Sequence, residues 1–327
     1  MPPKKAAASG GEFALIAELA KRLAGGAGRA VELGIGDDAA VLRVGRERLV
    51  MTVDDQVEGV HFDRRWLSAA DIGYRSLQAA ASDVAAMGAA PLAAVASLRA
   101  PRGFPQRLLL ELGSGQAQAA KQLGCPVVGG NVARGSELAV TTTVLGRARK
   151  PLLRSGARVG DELWLVGDVG LARAGLLLHQ SRLKVPRALA AVAARAKRAW
   201  ARPEAAIVAG QRLVGRARAA IDVSDGLGGD VRHLAEQSGV KAVLHAALIA
   251  RAIPEDLAPL AELLGEPAVA LALTGGEDYA LLGAGPRARR PRWVKVIGSV
   301  ERGRGAELQL ENGQRLELST GFDHYRA

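Results

Sequence analysis

The stretch "AAIDVSDGLGGD" (219–230) places Asp222 and Asp225 around Ser224 and adds Asp230, three carboxylates within nine residues. Like charges this close repel, so the spacing suits a solvated loop or a loop wrapped around something positive. The pattern recurs along the chain. "ELGIGDDAAVL" (32–42) sets Asp37 and Asp38 in a glycine turn before a strand, and "VMTVDDQVEGVHF" (50–62) sets Asp54 and Asp55 at the end of another. Asp83 lies inside the helical segment "SDVAAMGA". Taken singly, each acid reads as a helix cap or a solvated turn residue. Taken together, an all-oxygen ligand set without a His/Cys cluster points to a hard cation, Mg2+ first. Mg2+ keeps much of its water and is held by a few carboxylates plus substrate phosphates, which implies a nucleotide.

Other phosphate-binding and catalytic motifs are missing. No G-x-x-x-x-G-K-[ST] occurs, and "GGNVARGS" lacks the lysine. "GIGDDA" fits G-x-G-x-x-A, but "AVLRV" after it is a strand, whereas a dinucleotide fingerprint opens a helix. Neither the H-R-D and D-F-G set of protein kinases nor G-x-S-x-G is found.

The elements that must position these acids are legible in outline. Apolar spacing predicts a helix over 11–23 and strands at "AAVLRV" and "RLVMTV". A long helix over 68–89 follows, with Ser68 and Asp71 as a capping box and Gly88 as its stop. A helix around 105–123 precedes strands at "PVVGG" and 137–146. The basic segment "RARKPLLRSGARVGD" reads as a connection between a first domain, 1–148, and a second, 149–327. The second opens on the strand of "ELWLVGDVG", followed by helices near 171–182, 187–199, 204–216 and 230–239. "ALALTGGEDYALL" and "WVKVIGSV" read as strands, and Asn312-Gly313 marks a hairpin over 306–320. Two α/β or α+β domains result.

Composition narrows the function classes. The length of 327 residues suits two domains, and 49% apolar residues support sizeable cores. Cys125 is the lone cysteine, so no internal disulfide or structural zinc site is expected; a buried role in a reducing, cytoplasmic setting fits. No stretch has the roughly 18 unbroken apolar residues of a membrane span. "MPPKKAAASGG" lacks the apolar core of a signal peptide and reads as a short tail. A formal charge of +11 leaves anionic partners open. The densest basic stretches, "ARAKRAWAR" (194–202) and "PRARRPRW" (286–293), each carry a Trp. No nucleic-acid-binding motif accompanies them, and they read as solvated arginine faces.

Eight segments, "GEF", "GIGDDAAV", "VEGVHF", "SDVAAMGA", "RSGARVGD", "IDVSDGL", "GGEDYALL" and "GFDHY", run in an order that resembles the thiamine-monophosphate kinase family, within the aminoimidazole-ribonucleotide-synthetase-like superfamily. The resemblance runs from Gly11 to about Tyr325. It implies transfer of the γ-phosphoryl group of ATP to thiamine monophosphate, with several Mg2+ ions. It also implies a two-domain α/β and α+β fold, with the N-terminal domains pairing into a dimeric β-barrel, and neither nucleic acid nor membrane as partner. Position by position, it implies Asp38, Thr52, Asp54, Asp83, Asn131, Asp222 and Asp225 as metal ligands, the last two central to catalysis. Gly130, Asn131, Arg154 and Ser224 match nucleotide-contacting positions, and His61, Glu277 and Phe322 match positions that hold the acceptor. Two departures stand out. Asn131 replaces a metal-binding carboxylate and Val53 a metal-contacting threonine, and both are expected at one cation. That raises two other readings, a catalytically impaired nucleotide-binding dimer and a sister ATP-dependent enzyme; "VEGVHF" and "GFDHY" argue against the second.

Overall fold

The computed structural model describes residues 12–23 and 28–318. After helix α1 (Glu12–Leu23) come β1 (Val31–Leu33), β2 (Ala40–Val44), β3 (Glu47–Val57), α2 (Ala69–Ala86), β4 (Ala90–Ala100), α3 (Gln106–Leu123), β5 (Val127–Arg134) and β6 (Ala139–Arg147). The strands form one sheet in the order β1-β2-β3-β6-β4-β5. Only β4 and β5 are parallel, joined by the α3 crossover, and the sheet is open, not a closed barrel. Sequence reading misses β4. "APLAAVASLRA" is rich in alanine, a weak strand former, and it becomes a strand because β6 and β5 supply partners on both sides.

Helix α2 is the central support. The capping box forms as expected: the Asp71 N–H donates to Ser68 Oγ (3.1 Å) and the Ser68 N–H to Asp71 Oδ2 (3.4 Å). Gly88 ends the helix in the left-handed region at φ 62°. The helix is buried almost all round, which its alanines permit. It crosses α3 at very short range. A Cβ on Gly73 would lie 1.9 Å from the Leu112 carbonyl oxygen, and one on Gly115 1.9 Å from that of Ala70. Only glycine at both positions allows that approach.

Beyond the connection lie β7 (Glu162–Val166), α4 (Leu171–Gln180), a 3-10 turn, α5 (Ala190–Ala201), α6 (Ile207–Leu213), β8 (Ala219–Val223) and α7 (Leu227–Ser238). Then follow β9 (Lys241–His245), α8 (Ala246–Ala252), α9 (Leu257–Leu264), α10 (Ala268–Thr274), β10 (Ala280–Gly285), β11 (Lys295–Glu301), β12 (Gly305–Gln309) and β13 (Arg315–Glu317). The second sheet runs β13-β12-β9-β11-β7-β10-β8, with β12 and β9 its parallel pair. The expected hairpin is β12–β13. The strand expected across "ALALTGGEDYALL" is a helix in its first half, α10. Its Ala-Val-Ala-Leu-Ala-Leu run favours helix and begins after Pro267, a residue suited to a helix start.

The two halves share apolar cores. Ala85 and Ala86 of α2 pack in one cluster with Trp164, Leu213 and Leu281, and Phe62 and Ile72 pack with Ala172 and Trp200. Helix α2 therefore lies between strand β3 of one sheet and strand β8 of the other, in contact with both. Cys125 is fully buried.

Candidate active site

Strand β3 alternates. Thr52 and Gln56 are buried on its inner side, and Asp54 shares that side by its even spacing. Asp83 on α2 accepts a short hydrogen bond from Thr52 Oγ1, and its neighbour Ser82 donates to Asp222 Oδ2 at 2.7 Å. Asp222 sits at the end of β8, so α2 joins acids from both sheets. Asp38 enters from the glycine turn before β2. One oxygen of each of Asp38, Asp83 and Asp222 can be chosen so that all lie within 4.8 Å of one another. Arg154, on the connection, binds Asp38 Oδ1 through Nε (2.8 Å) and Nη2 (2.6 Å). The Arg154 N–H also donates to the Asp37 carboxylate at 3.1 Å.

Burial dominates the electrostatics. It pushes the Asp38 carboxyl up to about 8 against the pull of Arg154, and Asp54 up to about 6. Burial raises Asp83 and Asp222 as well, and for Asp83 the Asp222 charge adds to it. Asp38 Oδ2 is buried without a hydrogen-bond partner. An orphaned buried carboxylate oxygen facing two more carboxylates suits a hard divalent cation, so the residues fit Mg2+. The sign of the linkage follows. A carboxylate raised in the folded state binds more protons than in the unfolded state between its two pKa values. The contribution of these acids to the stability of the metal-free protein therefore falls as pH rises from about 4 to 8. A cation on the cluster opposes that loss, so the gain in melting temperature from Mg2+ is expected to grow between pH 6 and pH 8. Differential scanning fluorimetry with and without Mg2+ at each pH checks it.

The acids open into a cavity of about 660 Å3. Asp54, Asp83, Asp222, Ser224 and Asp225 line one part of it. His61, Trp66, Trp200 and Glu277 line another. The loop 275–279 closes against residues 223–225: the Glu277 N–H donates to the Ser224 carbonyl (2.7 Å) and the Tyr279 N–H to that of Val223 (2.9 Å). Gly276 passes so near that a Cβ there would lie 2.3 Å from the Ser224 carbonyl oxygen. His61 is fixed by the Val57 N–H, which donates to its Nδ1 at 3.0 Å; the proton of the neutral ring then sits on Nε2. Asp230 is buried behind the loop and accepts the Asp225 N–H at 3.3 Å.

Most of the expected site residues thus converge. Asp38, Thr52, Asp54, Asp83, Asp222, Asp225, Ser224, His61 and Glu277 surround or adjoin one cavity, with Arg154 beside Asp38. Gly130 and Asn131 do not join them within one chain. They lie on edge strand β5 and line a separate groove. The transverse row Asp54–Thr142–Ala96–Gly130 puts three strand spacings, about 14 Å, between Asp54 and Gly130. Asn131 and Val53 therefore do not flank one cation within a single chain, contrary to expectation. Phe322 lies outside the described residues.

Sequence reading also missed Arg75, Trp66 and Trp200. Trp200, assigned to a solvated basic face, turns inward and is buried. Its ring meets Trp66 edge-on at 6.0 Å and His179 at 5.3 Å. Helical spacing from Val192 through Ala196 to Trp200 was the signal available, since those three are the buried positions of α5 along with Ala193.

Comparison with known proteins first defines the class. Residues 36–148 match the family described as "AIR synthase related protein, N-terminal domain". The chain is 32% identical over 321 residues to the thiamine-monophosphate kinase of Aquifex aeolicus, covering 96% of this chain and 98% of that one. It is 36% identical over 274 residues to that of Mycobacterium tuberculosis, covering 83% and 80%. The solved structure of AaThiL complexed with AMPPCP and TMP superposes with a TM-score of 0.85, at 31% identity and 96% and 97% coverage. The chain belongs to the thiamine-monophosphate kinase family. Among the described residues, no single helix is long and apolar enough to cross a membrane.

Proposed function

We propose that the chain transfers the γ-phosphoryl group of ATP directly to thiamine monophosphate, giving thiamine diphosphate and ADP. The observation that carries this reading is the junction of Asp38, Asp83 and Asp222, from three separate elements, at a cavity also lined by His61 and Glu277. Family membership and the AMPPCP and TMP bound by the AaThiL relative support it.

Chemically, a terminal phosphate oxygen of the acceptor forms a bond to the γ-phosphorus as the bond to ADP breaks. The acceptor is already an anion near neutral pH, so no strong general base is required. The barrier lies in holding two anions in line. Asp38, Asp83 and Asp222, with Asp54 and Asp225 nearby, would hold Mg2+, which neutralises phosphate charge. Thr52 and Ser82 orient Asp83 and Asp222 through their hydroxyls. Ser224 would contact the nucleotide through the loop pinned by the Glu277 and Tyr279 N–H groups. Arg154, paired with Asp38, would exchange that carboxylate for a phosphate. His61 and Glu277 would face the acceptor, joined by Phe322.

The division at residue 148 into a nucleotide- and metal-binding domain and a second α+β domain is part of the same reading. So is pairing of two copies through the first sheet into a barrel. Met51, Val53 and Val95 stand exposed on its outer face, and Val128 and Val132 on the edge strand β5. A second copy would cover that surface. It would also give Gly130 and Asn131 a route to a nucleotide site shared between copies. A mass of twice the chain's 33.9 kDa by light scattering at micromolar concentration is expected; a monomer contradicts the pairing. The catalysis itself is tested by ADP release over a Mg2+ titration. Release that requires both Mg2+ and thiamine monophosphate supports the kinase. Nucleotide binding without turnover supports the impaired-dimer reading, which Asn131 and Val53 favour.

A further inference from the structure

The acceptor side of the cavity holds a carboxylate whose placement is unusually constrained. Glu277 adopts φ 67°, a left-handed conformation that costs a non-glycine residue of order 1 kcal/mol or more. The backbone bond from its N–H to the Ser224 carbonyl fixes the loop there, and its carboxylate is held at both oxygens. Arg75 Nη2 donates a short hydrogen bond to Oε1, and Trp200 Nε1 donates to Oε2 at 2.6 Å. Neither donor has slack. The Arg75 side chain is fully buried on α2, and its other nitrogens serve Gln56 Oε1 (Nε, 2.9 Å) and the Trp200 carbonyl (Nη1, 2.5 Å). The Trp200 ring lies under the guanidinium, 5.3 Å from centroid to Cζ.

A carboxylate accepts through about four lone-pair directions, and the two donors use one on each oxygen. The Glu277 side chain is 22% exposed and lines the cavity, so the remaining directions open toward a ligand. Rotation about the last bond of the side chain is locked by donors from two different elements, α2 and α5. This is how a site fixes an acceptor group for a ligand N–H: the receiving group is preorganised and its own supports are rigid.

We infer that Arg75 and Trp200 are positioning residues that hold Glu277 in the orientation that receives the acceptor substrate. The inference rests on the kinase reading. On that reading Glu277 accepts from the amino group of the substrate's aminopyrimidine ring, or from a comparable N–H on its ring end. On that reading neither Arg75 nor Trp200 would touch the reacting phosphates.

Trp200→Phe keeps an aromatic ring and removes the N–H to Glu277 together with the small ring that carries it. The expected result is a rise of about tenfold in KM for thiamine monophosphate, the scale of one hydrogen bond to a charged group. KM for ATP and the Mg2+ requirement stay within twofold. In a Glu277→Gln background the same substitution is expected to add less than twofold, because its effect passes through the carboxylate. Should Trp200→Phe not fold, Arg75→Lys carries the same test. It keeps the charge but replaces the planar fork that serves three acceptors. Equal rises in both KM values, an unchanged KM for thiamine monophosphate, or a full tenfold effect in the Glu277→Gln background would overturn the positioning role. A wild-type protein that does not bind thiamine monophosphate in calorimetry contradicts the kinase reading instead. Binding by wild type with unaffected variants contradicts only this inference.

Discussion

Asp222→Asn is expected to lower phosphoryl transfer by about a thousandfold while leaving the protein folded. Asp222 is a member of the carboxylate cluster and is buried at the strand end that faces α2. The amide keeps the size of the side chain, and the Ser82 hydroxyl can still donate to its carbonyl oxygen. What is lost is one unit of negative charge in the cluster that would hold Mg2+. Electrostatic stabilisation of this kind commonly accounts for factors of about 100 to 1,000 from a single group. The stability outcome has the opposite sign. In Mg2+-free buffer at pH 8 the amide removes one of several crowded acids, and its melting temperature is expected to equal or exceed that of wild type. Turnover above a tenth of wild type at saturating Mg2+, or a clear loss of stability, counts against a metal role for Asp222.

Arg154→Gln is expected to have the largest effect on stability. Asp38 is fully buried and its Oδ1 depends on two Arg154 nitrogens, while Oδ2 has no partner. Removing the cation strands a buried carboxylate, which costs about 3 kcal/mol even where protonation limits the penalty. The Arg154 guanidinium is itself partly exposed, so the charge it leaves behind is the poorly solvated one. Urea unfolding in Mg2+-free buffer at pH 8 measures the loss. Mg2+ is expected to restore part of it, since a cation beside Asp38 does some of the work of the guanidinium. Affinity for ATP is expected to fall in the same variant. A variant as stable as wild type without Mg2+ would contradict the pairing of Arg154 with Asp38.

What the sequence shows of the site and what it hides have separable physical causes. The acids are legible because glycine turns and strand ends are local patterns, and because carboxylates at such places in a net-positive chain ask for an explanation. The start of α2 is legible for the same reason: Ser68 and Asp71 satisfy each other within four residues. Strand β4 is not legible, since an alanine-rich segment takes its form from neighbours contributed by residues 33 to 57 positions away. Nor is Arg75, whose acceptors come from Gln56, Trp200 and Glu277. A buried arginine in a helix looks like any surface arginine until those partners are placed. Trp200 misleads in the opposite direction, because four basic residues around it in 194–202 suggest a polyanion surface while its ring packs inward. Asn131 marks a further boundary. Its segment "GGNV" departs from the family where the resemblance implies a metal-binding carboxylate, and its strand lies at the far edge of the sheet from the acidic cluster.

The central claim is direct transfer of the terminal phosphoryl group of ATP to the phosphate of thiamine monophosphate. The most direct measurement follows the label of γ-32P-ATP incubated with the protein, Mg2+ and thiamine monophosphate. The account predicts label in the terminal phosphate of thiamine diphosphate, one equivalent per ADP formed, with none retained on protein and none beyond background in inorganic phosphate. Label appearing as inorganic phosphate, or held on the protein, with no labelled thiamine diphosphate, would contradict it.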